Sequence, residues 1–387
     1  MTPVKDNKTT VAIISGISKI ILLLSITIAQ GCNKEISNMA AAPYPPSPVI
    51  KGIKWDYSSI KQAAPGSDLW PTTWAADGNL YTAWGDGGGF GGTNVKGRVS
   101  MGFARLEGRP TNFNGINING GVNSKYPPTF NCKSCAKTAG LISVNGVIYA
   151  WINMQNKKTP DTKLAWSSDY GKTWNFADWH FPGKDDPLFF PSTFLNYGKN
   201  NQGAMDEYVY SYGARWVPTQ GRENNIYLIR VHKSHIKERQ YYEFFSGLNE
   251  EQQPIWNKNI TNRKSVFTDS NGVPNAGLAT VVYNPGIQRY IMAVAHGEKG
   301  EDSFARFSHL GIFESMKPWG PWFTVSYYNN WLSFDNTDDE ALAYSLPTKW
   351  ISKNGIDMWM IFSGWPKNDS FNLINLQLML NGNKKIQ

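Results

Sequence analysis

The stretch DLWPTTWAADGNLYTAWGDGGGFGG, residues 68–92, holds the pattern from which the fold is read. Two segments rich in aromatic and β-favouring residues flank Ala76-Asp77-Gly78-Asn79, whose composition is that of a turn, so the stretch reads as a β-hairpin with Asp77 as a turn former. The pattern returns four times, as TAGLISVNGVIYAWIN (138–153), PSTFLNYGKNNQGAMDEYVYSYG (191–213), GLATVVYNPGIQRYIMAVAH (277–296) and EALAYSLPTKWISKNGIDMWMIFSGW (340–365). Tyr81, Tyr149, Tyr208, Tyr290 and Met358 occupy equivalent places, 68, 59, 82 and 68 residues apart. Further strands are supplied by RVSMGFARLEG, TKLAWSSDYGKTWNF, NNIYLIRVHK, SHLGIFESMKPWGPWFTV and FNLINLQLML. That spacing exceeds a simple hairpin array and suits four-stranded sheets, which predicts an all-β chain with a five-bladed β-propeller over residues 50–387. A pair of β-sandwiches is the alternative.

Ser167-Ser168-Asp169-Tyr170-Gly171-Lys172-Thr173-Trp174 fits the Asp-box pattern S-x-D-x-G-x-T-W. Asp169 is expected to accept backbone N–H bonds, Gly171 to take positive φ and Trp174 to pack inward, which makes Asp169 structural.

Composition narrows the function. The 387 residues carry a net charge of +8, 18% charged and 41% hydrophobic residues, and sixteen Trp, eighteen Tyr and nineteen Phe. Aromatics at this density suit strands and also stack on sugar rings. Basic residues form no dense run, so nucleic acid is not an expected partner. Residues 1–31 read as a signal peptide, with Lys5 and Lys8 ahead of the apolar run IILLLSITIA (20–29), too short for a membrane span. Ala29-Gln30-Gly31-Cys32 approximates a lipobox, which makes Cys32 the lipidation site and residues 32–49 a tether. The chain is then exported and lipid-anchored in a bacterial envelope, at the outer membrane or cell surface; a periplasmic or secreted form is the alternative. A monomer is expected. Cys132 and Cys135 read as a local disulfide, with free thiols or a metal pair as alternatives. Neither a cofactor nor a metal site is expected: the glycine run 85–92 lacks the strand-to-helix setting of a phosphate loop, and the histidines lack ligand spacing.

In a propeller the first strand of each blade lines a central channel, and ligands sit where that strand begins. Asp77 then lies on the opposite face. Positions before the first strands give Asp68, Lys137, Asp185, Asp186, Asp339 and Glu340; positions after the second strands give Asp86, Asn153, Arg215, His296, Glu298 and Trp365. Carboxylates gathered at one mouth suit glycoside cleavage, which needs one carboxyl protonated and another ionised. Asp68 and Asp86 are the expected catalytic pair, and Trp70, Lys137, Asn153, Asp186, Arg215, His296, Glu298, Glu340 and Trp365 the expected substrate-binding residues. The substrate class is a polysaccharide or oligosaccharide, with non-catalytic glycan binding as the alternative.

The opening stretch, followed by GRVSMGFARLEG, resembles the signature of the domain of unknown function 4185 family, and EYVYSYG, YEFFSGL, VVYNPGIQRYIM and LGIFESMKPWGPW resemble its later segments in order. Some members are similar to glycoside hydrolase family 183 enzymes, which cut D-arabinofuranose polymers internally. The resemblance implies a five-bladed propeller, carboxylate catalysis at its mouth and a furanose-containing, arabinan-like substrate. It places Asp68 as base or nucleophile and Asp86 as acid or subsite ligand. Many members carry an acid pair where this chain has Ala76-Asp77, so a role for the first of those acids is lost here.

Overall fold

The computed structural model describes residues 37–132, 135–154, 161–182, 189–217, 221–298, 308–332, 341–365 and 369–382. Among these the chain is all-β, with only short 3-10 segments as helix. The first strand, β1, spans Ile50–Ala63. An antiparallel meander follows, of β2 (Asp68–Trp74), β3 (Leu80–Gly85), β4 (Met101–Glu107) and β5 (Asn114–Asn119). A second comprises β6 (Ala136–Val144), β7 (Val147–Met154), β8 (Asp161–Ser167) and β9 (Asn175–Phe176). The third opens with β10 (Phe189–Asn196) and β11 (Tyr208–Val217) and passes through the short β12 (Gly221–Arg222) to β13 (Asn225–His232) and β14 (Glu243–Leu248). Two additions border it: β15 (Pro254–Asn257) on β14, and β16 (Ser265–Thr268) on β13. The fourth holds β17 (Gly272–Asn284), β18 (Arg289–Glu298), β19 (Leu310–Ser315) and β20 (Trp322–Tyr328). Last come β21 (Leu342–Ser345), β22 (Asp357–Ser363) and β23 (Phe371–Leu380), and the fourth strand of this sheet is β1, with Ile50 opposite Leu380 and Ala63 opposite Phe371.

The first strands of the five meanders meet in a cycle. β2 packs on β6, β6 on β10, β17 on β21 and β21 on β2, while β10 runs parallel to β17 through Leu195–Val281 and Asn196–Val282. Together they line a narrow central cavity of about 20 Å³. Thr72, Thr138, Thr193, Thr280 and Ser345 each bring a hydroxyl-bearing side chain to that lining, one from each strand. Small residues belong here because five backbones converge: a Cβ on Gly140 would collide with the backbone of Ser192 and Thr193.

Every first strand carries a register shift against its partner, at Leu69/Thr72, Thr138/Gly140, Pro191/Thr193, Asn275/Ala279 and Leu342/Ser345. A bulge resets which side chains face in. In β2 the reset passes through two positive φ angles, +77° at Leu69 and +57° at Trp70.

The segment 32–49, expected to be a tether, is packed against the fourth meander from residue 37 onward. The Ser37 and Asn38 region bonds Tyr327, Tyr44 packs on Phe267 and Phe313 with ring centroids 5.0 and 6.1 Å away, and Ser47 Oγ donates to Glu314 Oε1 at 2.7 Å. Prolines give this segment few donors, which suits a strand-edge cover and hides it from a periodicity reading. Residues 37–49 accordingly belong to the compact unit, whose expected start is residue 50. Glu314 is buried beside Arg289, 3.2 Å from its Nε, so the cover seals an ion pair.

Candidate active site

The β2–β3 register sets Asp68 opposite Gly85, so Asp68 and Asp86 stand at the same end of one hairpin. A Cβ on Gly85 would collide with Asp68 Oδ1 and with the stem of Lys137; the glycine leaves room for both side chains. Asp86 adopts φ +54°, which turns the chain out of β3. Its Oδ1 lies 2.5 Å from Lys137 Nζ and 3.1 Å from Arg98 Nη2. Lys137, the second residue of β6, also donates to Ser100 O at 3.0 Å, and the Asp86 N–H donates to that same carbonyl at 2.9 Å.

Asp68 is different. Oδ1 of both carboxyls is shut off from water without a hydrogen bond, but Asp86 Oδ1 has two cations against it and Asp68 is in no ion pair among the described residues. Burial pushes its carboxyl up to about 8; Lys137 opposes the rise, and the negative charges of Asp369 and Asp86 add to it. Asp369, between β22 and β23, is the third carboxyl of the mouth. Its own value is raised, first by burial and then by Asp86, against Lys137 and Arg98. Its carbonyl accepts the Gly66 N–H at 2.5 Å, which brings the last sheet onto the start of the first. Leu69 N–H donates to Ser363 Oγ at 2.7 Å across the same junction.

The remaining expected positions divide. Asn153 sits opposite Lys137 in the β6–β7 register and accepts from Thr162 Oγ1 at 2.5 Å. Trp365 is half-buried just beyond β22, and its carbonyl accepts from Gln62. Arg215 stands opposite Phe189 at the equivalent end of β10–β11 and is ion-paired with Glu223. Two residues expected to bind substrate are enclosed instead. Trp70 is fully buried, stacked near Trp84 at 5.8 Å and edge-on to Phe371 at 5.2 Å, with its Nε1 donating to Ser67 O and Ser370 O. The bulge at Leu69 turns it from the channel into the core between sheets. His296 is buried and stacks on Tyr327 at 4.1 Å, with Nδ1 3.2 Å from the Tyr327 hydroxyl, which itself donates to Asp269. Burial, and then neighbouring His309, push its imidazole down to about 3, a neutral ring built into the fold. Glu298 is described in its backbone alone, opposite Gly272. Asp185, Asp186, Asp339, Glu340 and Cys32 lie outside the described residues.

Arg98 and Asp369 are mouth residues that the sequence reading omits. They sit in the connectors from second to third strand, β3–β4 and β22–β23, and those connectors return to the same face as the starts of the first strands. Carrying the topological rule along the whole of each connector, and not only to the position just after the second strand, would have found both.

Asp77 occupies the opposite turn. Burial would raise its carboxyl, but bonds from Asn79 and Tyr81 and the charge of Arg105 outweigh it, and the net direction is down. Asp169 accepts from Thr173 N and Oγ1 and from Ser167 Oγ inside its own hairpin, where Gly171 has φ +86° and Trp174 stacks on Phe103 at 4.0 Å. Among the described residues no group of three or more His, Cys, Asp or Glu side chains is placed to hold a metal ion.

The model of DUF4185, a domain of unknown function, matches residues 134–327, half of the chain. No curated protein matches it. Similar solved structures include a GH43_1 enzyme from Xanthomonas citri complexed with xylotriose, at 12% identity and TM-score 0.46, covering 85% of this chain and 93% of that one. An endo-arabinase from Bacteroides thetaiotaomicron is 10% identical with TM-score 0.44, covering 91% and 99%. At TM-scores below 0.5 the likeness is loose.

Proposed function

The chain belongs to the DUF4185 family, and from that premise and the chemistry of the mouth we propose that it is a glycoside hydrolase acting on a polysaccharide, with Asp68 as general acid and Asp86 as the anionic partner. The five meanders are taken as the blades of a propeller whose mouth is the site. The observation that carries the reading is the unequal pairing of two enclosed carboxyls: Asp68 has no ion pair among the described residues, while Asp86 is held by an ammonium and a guanidinium. Glycoside cleavage needs that asymmetry, one carboxyl that keeps its proton at neutral pH and one that stays charged. Asp68 gives its proton to the departing glycosidic oxygen as the C–O bond breaks. Asp86 takes the proton of the attacking water or attacks the anomeric carbon itself. These roles are exchanged relative to the sequence expectation, because burial, more than position, sets which carboxyl stays protonated.

Furanose-containing glycans head the candidate substrates through the resemblance to arabinofuranose-cutting enzymes. Export and anchoring through Cys32 belong to the same reading. The test is release of reducing ends from a panel of furanose- and uronate-containing polysaccharides, followed by substrates whose leaving group needs no proton. Asp68→Asn is expected to lose about 10²–10⁴-fold on the natural glycan and far less on a dinitrophenyl glycoside. Asp86→Asn is expected to lose on both. Binding without cleavage across the whole panel would replace the hydrolase by a glycan-binding protein. For the anchor, Cys32→Ala should abolish incorporation of a labelled fatty acid; persistent label refutes that site.

A further inference from the structure

Ser100 ties the disulfide to the mouth. Cys132 and Cys135 are bridged, their Cα atoms 6.0 Å apart, and both are half-buried. Cys135 stands directly before β6, and its N–H donates to Ser100 Oγ at 2.8 Å. The Ala136 N–H donates to the same oxygen at 3.1 Å, and Ser100 Oγ donates back to Ala136 O at 3.0 Å. Ser100 is fully buried, and its carbonyl is the acceptor shared by the Lys137 ammonium and the Asp86 N–H. A single serine therefore fixes the backbone next to the disulfide through its hydroxyl and the Asp86–Lys137 pair through its carbonyl. Only Ala136 separates Cys135 from Lys137.

We propose that the Cys132–Cys135 bridge is a redox-dependent latch on the Asp86–Lys137 pair. Closed, it holds the start of β6 on Ser100 and so keeps the Lys137 ammonium between Ser100 O and Asp86. A dithiol reductant opens it: the S–S bond breaks, two cysteine thiols form, and the reductant leaves as its cyclic disulfide, having given two electrons and two protons. The start of β6 is then released from the bridge's restraint, and Lys137 leaves Asp86 for a larger fraction of the time. Its effect on activity rests on the mouth being the hydrolytic site; the latch itself does not.

The measurement is the acylation rate of Lys137 by an amine-reactive ester, followed by peptide mass spectrometry on the whole protein with and without dithiol, with exposed Lys51 as internal reference. Reduction is expected to raise the Lys137 rate on the order of threefold to tenfold while Lys51 stays constant, as a local opening requires. An unchanged Lys137 rate overturns the proposal, and so does an equal rise at Lys51, which would mean general loosening. The double variant Cys132→Ser/Cys135→Ser should label like reduced protein in both buffers; labelling like the oxidised form also overturns it. Should that variant fail to fold, the wild-type comparison decides. A labelling change with no glycan cleavage in either state refutes the hydrolase reading and upholds the latch.

Discussion

A carboxyl group that keeps its proton only when folded makes the native state dearer as the solution turns alkaline. Between the unfolded value near ~4 and about 8, the folded chain binds one more proton at Asp68 than the unfolded chain does. Its contribution to stability falls as pH rises through that window and is level on either side. Asp68→Asn, which needs no proton, is therefore expected to stabilise the protein by an amount that grows from nothing near pH 4 to a plateau above about pH 8, on the order of a few kcal/mol. Denaturant midpoints at pH 5 and pH 9 check this; an equal difference at both pH values contradicts it. In the proposed hydrolase the same group is expected to give glycan cleavage an alkaline limb near pH 8, and Lys137→Met should move that limb upward, because Lys137 is the charge that holds the Asp68 value down. Lys137→Arg should return it most of the way. Asp68, Asp86 and Lys137 are visible in the sequence because each flanks a hairpin with a strong local pattern. Which carboxyl is protonated is not visible, since it depends on a buried oxygen whose surroundings come from Gly85, Lys137 and Asp369, far apart along the chain.

Strand elements show where pattern reading succeeds and where it fails. All five first hairpins are legible, because turn residues and aromatic alternation are local properties. Trp70 is misplaced by the same reading, since alternation presumes an unbroken register and the bulge at Leu69 breaks it. Residues 37–49 fail differently: their prolines and lack of period mimic a tether, yet Tyr44 and Ser47 find their partners more than two hundred residues away. That cover is a stability element. Removing the Ser47 hydroxyl takes from buried Glu314 its hydroxyl partner and leaves it facing Arg289 alone, so Ser47→Ala is expected to cost about 1–3 kcal/mol, read as a shift of the urea midpoint. A midpoint unchanged within error would mean that the cover does not seal the Glu314–Arg289 pair.

At the scale of the molecule, one strand from the N-terminal side completes the last sheet, and β1 on β23 ties that sheet to the chain that enters the first. That tie depends on residues some three hundred positions apart, a long-range pairing that the sequence does not display because β1 carries no partner signal of its own. Deletion through Ala63 is expected to abolish the single cooperative thermal transition, whereas deletion through residue 36 should preserve it; a sharp transition in the shorter chain would show that the other four meanders stand without the clasp. The register of that clasp has a mechanical meaning. Ile50 faces Leu380, so the two chain directions leave the ladder at one end, and once residues 37–49 are peeled from the fourth meander, force drawn between them opens it like a zip, one pair at a time. Force applied between Asp68 and Asp369 loads the junction of first and last sheets instead, where bonds from Gly66 and Leu69 are crossed together. The β1–β23 clasp is thus soft to force applied at its open end, and the junction at the mouth is stiff.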